Sequence, residues 1–102
     1  MNNFDKEGFL TNPESWTEEL AKIIAGQEGI ELTHEHWEII WLVREFYQTY
    51  DLSPSNRPLV KTVKQKLGEE KGNSIYLLSL FPDSPAKIAS KIAGLPKPAN
   101  CF

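Results

Sequence analysis

Between Thr33 and Asp51 the chain runs without a glycine or a proline, and its large side chains recur at a fixed spacing. His36, Ile39, Ile40, Val43, Phe46, Tyr47 and Tyr50 fall three or four residues apart, which is one face of an α-helix. The spacing predicts a helix over 34–50, with Thr33 as its cap. Trp37 and Trp41 add a second stripe beside the first. A helix apolar around more than half its girth must be covered by several neighbours, so this segment is the expected centre of the fold.

The flanking sequence supplies helices as neighbours. Ser15 followed by Glu18 has the pattern of a capping box, and Trp16, Leu20, Ile23 and Ile24 then share a stripe that Gly26 weakens. Ser55 is placed to cap a third helix, with Pro58 in its first turn, Leu59, Val60, Val63 and Leu67 inward, and Gly68 at its end. Asn73 or Ser74 begins a short apolar helix that runs through Phe81 and stops at Pro82. Ser84-Pro85 starts a fifth, with Ile88, Ala89 and Ile92 inward and Gly94 as its terminator. Ahead of these, Phe4 to Phe9 has the composition of a small hairpin around Lys6-Glu7-Gly8. The expected fold is therefore mainly α, a bundle of about five helices with a short N-terminal β-hairpin.

Chain length supports one domain over residues 1–102, with 94–102 as a C-terminal arm. One cysteine excludes an intramolecular disulfide framework and any multi-thiolate zinc site. No apolar run approaches the ~18 residues of a membrane span, and the first ten residues lack a signal-peptide pattern. These features predict a soluble chain in the cytoplasm, where a free thiol stays reduced. The modest formal charge of −3 conceals a division. Residues 1–56 hold eleven acids against three bases, a net of −8. Residues 57–102 hold eight bases against three acids, a net of +5. Two solvated faces of one fold would account for this, as would a basic half that faces an acidic protein or RNA.

The last eight residues, Leu95-Pro96-Lys97-Pro98-Ala99-Asn100-Cys101-Phe102, follow a helix-ending glycine. Pro96 and Pro98 remove two donors and favour an extended path, which at ~3.1 Å per residue reaches roughly 25 Å. The only thiol, Cys101, stands one residue from the end of that arm. A thiol on a long tip suits a relay: it enters one pocket, accepts a group and offers it in another. At a reference pKa near 8.5 about 3% of it is thiolate at pH 7. The Phe102 carboxylate disfavours ionisation and Lys97 favours it, so activation has to come from docking. That is the behaviour of a carrier rather than of a self-sufficient catalyst.

Other candidates carry less. His34 and Glu38 lie at i, i+4, but the His-Glu-x-x-His zinc pattern is absent, and no metal is implied. There is no phosphate loop, dinucleotide glycine pattern or nucleophile elbow, and no cofactor is implied. Ser90 has no evident base. The second and third helices, with Arg57, Lys61, Lys64 and Lys66 on the latter, imitate a helix-turn-helix, although a basic solvated face explains them as well and DNA is not the favoured partner. Lys87 and Lys91, at i, i+4 before the arm, are candidates to receive an acidic patch on a partner.

Several stretches resemble the DsrC/TusE family of sulfur-relay proteins. They are Glu7-Gly8-Phe9-Leu10, Leu32 to Glu38, Val43-Arg44-Glu45-Phe46-Tyr47, Leu67 to Ser74, Leu80-Phe81-Pro82, Pro85-Ala86-Lys87 and, most specifically, Ala93-Gly94-Leu95-Pro96-Lys97-Pro98 ending in Cys101. The resemblance implies a small helical fold with an N-terminal hairpin and an arm whose cysteine carries sulfur as a persulfide, here Cys101. Dissimilatory members have a second cysteine eleven positions before the penultimate one; this chain has Ser90 there, which resembles the single-cysteine TusE branch. That branch serves thiolation of the tRNA wobble uridine. The implied partners are a TusBCD-like donor complex and an MnmA-like thiouridylase with its tRNA. The start is shorter than usual in the family, and Pro58 after Arg57 departs from it. Arg57 belongs to the family pattern and is the candidate to steady the thiolate or the terminal carboxylate. The other reading is a DsrC-like binding or regulatory protein that engages an enzyme or DNA without moving sulfur.

Overall fold

The computed structural model describes residues 4–98. Five α-helices follow in order along them: α1 (Glu18–Gln27), α2 (His34–Tyr50), α3 (Asn56–Leu67), α4 (Ser74–Leu80) and α5 (Pro85–Ile92). None is long and apolar enough to cross a membrane.

The longest helix has the predicted bounds. Thr33 and His36 form a reciprocal cap: the Thr33 N–H donates to His36 Nδ1 over 3.1 Å, and the Thr33 hydroxyl lies 2.7 Å from the same nitrogen. With Nδ1 accepting, Nε2 carries the proton and donates to the Leu80 carbonyl over 2.8 Å. The imidazole thus ties the start of α2 to the end of α4, edge-on to Phe81 at 5.2 Å. Ile39, Ile40 and Val43 are fully buried. The far end differs from expectation. Tyr50 is exposed, and nearer the middle of the helix Trp41, on the second stripe, is 46% exposed.

α5 shares the centre with α2: it packs against all four other helices, and most extensively against α2. Its buried positions include Ala86, Ala89 and Ser90, and Ala93 follows it. Small side chains let neighbouring backbones come close on every side, and Ile92 fills the middle. α1 uses the same device. It buries Ala21, Ile24 and Ala25 and leaves Ile23 58% exposed, so its inner stripe is rotated from the one predicted.

Caps account for the remaining departures. Asn12 and Pro13 begin a single 3-10 turn over Pro13–Ser15, which absorbs Ser15 and moves the cap of α1 to Thr17, whose hydroxyl accepts from the Leu20 N–H. Neither Ser55 nor Ser84 makes a side-chain capping bond. Asn56 Oδ1 instead accepts from the Ala86 N–H at 2.9 Å, so a residue opening α3 satisfies one orphan amide of α5. Asn73 caps α4 through the Tyr76 N–H.

The expected N-terminal hairpin reduces to one antiparallel bridge between Phe4 and Leu10, with no strand among the described residues. Asp5 Oδ1 accepts from the N–H groups of both Glu7 and Phe9, closing the turn on itself at a Gly8 of φ +88°. Pro13 then starts the 3-10 turn before a second strand can lengthen. The turn still anchors the chain, since Phe9 and Leu10 are buried.

Candidate functional site

The C-terminus of α5 leaves carbonyls without helical partners, and three kinds of donor meet them. Gly94 N–H donates to the Lys91 carbonyl over 3.2 Å and Leu95 N–H to the Ser90 carbonyl over 2.9 Å, which is the paired bonding of a Schellman motif. The indole N–H of Trp16 donates to the Ile92 carbonyl at 2.8 Å. Arg44 Nη1 donates to the Ala93 carbonyl at 2.6 Å. The same guanidinium lies 4.1 Å over the Trp16 ring, and that ring meets Trp41 edge-on at 5.2 Å. Burial in this stack lowers the Arg44 pKa. The sum is a collar of Trp16 and Arg44 closed around the end of α5.

Gly94 is required here twice over. Its φ is +74°, in the left-handed region, and a Cβ at this position would lie 2.4 Å from Trp16 Cδ1. The backbone can turn into the arm only because no side chain stands between it and the indole.

The arm is then held beyond the turn. Leu95 is buried at 1% exposure and joins the core cluster. The Ser53 hydroxyl donates to the Pro96 carbonyl, Lys97 Nζ lies 2.9 Å from Glu7 Oε1, and Pro98 is buried. Pro96 and Lys97 form one wall of a cleft of about 350 Å³ whose other side includes Tyr47, Ser53 and Pro58. The sequence pattern suggested an arm projecting from Gly94 over its whole length. In the structure its first four residues after Gly94 lie against the helices and the N-terminal turn. Cys101 lies outside the described residues.

The other sequence candidates separate. Lys91 is tied to Glu28 at 2.9 Å, has 14% of its side chain exposed and sits 5.7 Å from the Phe9 ring; it braces the fold from within. Lys87 is half-buried and forms no ion pair with a described residue. Arg57 is exposed on the first turn of α3, and its side chain makes no hydrogen bond or ion pair with a described residue. It lines an open groove of about 860 Å³ with Lys61 and Lys64. Pro96, Lys97, Gly94 and Pro98 thus come together at the collar, and the structure places Arg57 in a different recess. Of the two histidines, His36 is a cap and His34 lies 3.9 Å from Glu38 at the surface.

Sequence reasoning missed Trp16, Arg44, Ser53 and Glu7 as supports of the arm. Arg44 had one available clue: it is the only base between Lys22 and Arg57, set within the apolar run of α2. A charge in such a place calls for a carbonyl or an acid to meet it.

A small helical domain that ends a central helix in a Gly-Leu-Pro-Lys-Pro segment, and clasps that segment, defines one class of protein. The chain belongs to the family described as DsrC like protein, which it matches over residues 1–102. It is 58% identical over 98 residues to the sulfurtransferase TusE of Yersinia pseudotuberculosis, covering 96% of this chain and 91% of that one. It is 57% identical over 98 residues to the sulfurtransferase TusE homolog of Haemophilus influenzae, covering 96% and 90%. The NMR structure of Allochromatium vinosum DsrC superposes with a TM-score of 0.88 at 52% identity, covering 97% of this chain and 88% of that one. The oxidized gamma-subunit of dissimilatory sulfite reductase from Archaeoglobus fulgidus superposes with a TM-score of 0.83 at 42% identity, covering 97% and 90%.

Proposed function

We propose that the protein is a sulfur carrier that accepts sulfur as a persulfide on Cys101 and passes it to a downstream acceptor, in the formation of 2-thiouridine at the tRNA wobble position. The observation that carries this reading is whole-chain likeness to sulfurtransferases of the TusE kind in a chain whose single thiol is penultimate. With Ser90 in α5, no second thiol is available to close a bridge within the chain. Sulfur bound on Cys101 therefore leaves only to another molecule.

The chemistry is thiol–disulfide exchange with a persulfide as donor. The Cys101 thiolate attacks the outer sulfur of a donor persulfide. The S–S bond of the donor breaks, its cysteine departs as thiolate, and a new S–S bond leaves Cys101 as the persulfide. In the second step a cysteine of the acceptor attacks the terminal sulfur, and Cys101 is released as thiolate. No net oxidation occurs. Residues 94–102 act as the arm, with Gly94, Pro96, Lys97 and Pro98 setting its path. A TusBCD-like complex as donor and an MnmA-like thiouridylase, with its tRNA, as acceptor complete the reading.

The collar supports a short reach. The three residues from Ala99 to Cys101 extend about 10 Å at most, against roughly 22 Å for the seven from Leu95 to Cys101 in an arm free from Leu95 onward. A partner must therefore bring its own cysteine close to the body of this protein, or release residues 95–98 from their seats. Incubation with a persulfidated donor protein, followed by intact-mass measurement, tests the proposal. Wild type gains one sulfur atom and Cys101→Ser gains none; an unmodified wild type contradicts it.

A further inference from the structure

A second surface lies away from the collar. α4 turns two large apolar side chains outward one turn apart: Ile75 is 83% exposed and Leu78 43%. Beside Leu78 a recess of about 310 Å³ is lined by Val60, Leu77, Leu78 and Pro85, with Asn56, Ser74 and Asp83 as its polar groups. It adjoins the wider groove of Arg57, Lys61 and Lys64, and the two share Asn56, Val60 and Ser74. Arg57, Lys61 and Lys64 recur at i, i+4 and i+7, so they form one row along α3. Arg57 and Lys61 form no ion pair with a described residue, and Lys64 meets only Glu69 at 3.8 Å, both exposed.

We propose that this face docks an acidic amphipathic helix of a partner protein. The apolar pair and the recess provide seats for side chains at helical spacing, and the cationic row runs along their edge to meet carboxylates on the flank of that helix. Arg57 and Lys61 meet no acid among the described residues, although the chain as a whole is acidic. Nucleic acid would use the cationic row but leave Ile75 and Leu78 in water, which is why a protein fits better. Asp83, which lines the recess but not the cationic groove, sets a polarity: the acidic flank of the partner lies toward α3. The inference is independent of the sulfur chemistry.

The test is an amide-resolved NMR titration of the full chain with a synthetic helical peptide carrying leucines along one face and glutamates on the flanks. Expected are shifts confined to residues 56–64, 74–78 and 83–85. Affinity should fall about tenfold in Arg57→Glu/Lys61→Glu and in Ile75→Asp/Leu78→Asp, and should fall in wild type as salt is raised. All four side chains are on the surface, so the same spectra verify that each variant is folded. The lysine counterpart of the peptide should not bind. Absence of shifts at about 1 mM peptide, shifts elsewhere, or wild-type affinity retained in either variant overturns the proposal. Binding of tRNA that depends on Arg57 and Lys61, with no peptide binding, replaces it with an RNA surface.

Discussion

The two ends of the molecule's cationic half are built on opposite principles. At the arm root the carbonyls of Ile92, Ala93 and Pro96 and the ammonium of Lys97 each have a partner: Trp16, Arg44, Ser53 and Glu7 in turn. On the α3–α4 face the cations point into open grooves and the apolar side chains stand in water. The first arrangement spends its chemistry on holding one backbone path. The second holds nothing within the chain. Substitutions should therefore be costly for stability at the root and nearly silent for stability on the face.

The largest effect is expected at Gly94. Gly94→Ala combines a left-handed backbone with a clash against Trp16, and should destabilise by about 2–4 kcal/mol in denaturant unfolding. A loss below about 0.5 kcal/mol would mean that the collar is not closed around the glycine. Arg44→Met keeps an apolar stem beneath the Trp16 ring but strands the Ala93 carbonyl, with an expected cost of about 1.5–3 kcal/mol. Arg44→Lys should recover only part of this, because an ammonium lacks the planar stack.

Much of this architecture is written in local sequence. The bounds of α2, the Ser84-Pro85 start of α5 and the glycine that ends it follow from spacing, caps and the missing proline N–H. The collar does not. Trp16 and Ile92 are 76 residues apart, and Arg44 and Ala93 are 49 apart. Nothing in the neighbourhood of either residue marks the other. Prolines in the tail indicate an extended path, but whether that path stands free depends on Leu95 finding a seat in the core, a tertiary fact. Local capping patterns failed where two caps competed: Ser15 lost to Thr17 because Asn12-Pro13 claimed it for a 3-10 turn. The proposal of Cys101 as carrier rests on the sequence alone, because that residue lies outside the described ones.

Smaller effects complete the contrast. Ser53→Ala removes one hydrogen bond to the arm and should cost about 1 kcal/mol. Lys97→Ala breaks an ion pair that is more than a third exposed on both sides, and should shift the unfolding midpoint little, by ~0.5 kcal/mol or less. Ser90→Ala should be neutral or slightly stabilising, because its buried hydroxyl has no hydrogen-bond partner among the described residues. On the open face, Arg57→Glu and Ile75→Asp should leave stability within about 0.5 kcal/mol of wild type. A loss on that face as large as at Arg44 would erase the distinction between the two regions.

The central claim is that the body of the protein holds its arm as far as Pro98. Amide hydrogen exchange of Leu95, whose N–H donates to the Ser90 carbonyl beneath the Trp16–Arg44 collar, tests this most directly. The account predicts protection of Leu95 close to that of Ala93 in the same spectrum, and a marked loss of it in Arg44→Met. Exchange of the wild-type Leu95 amide at the rate of an unstructured peptide would contradict it.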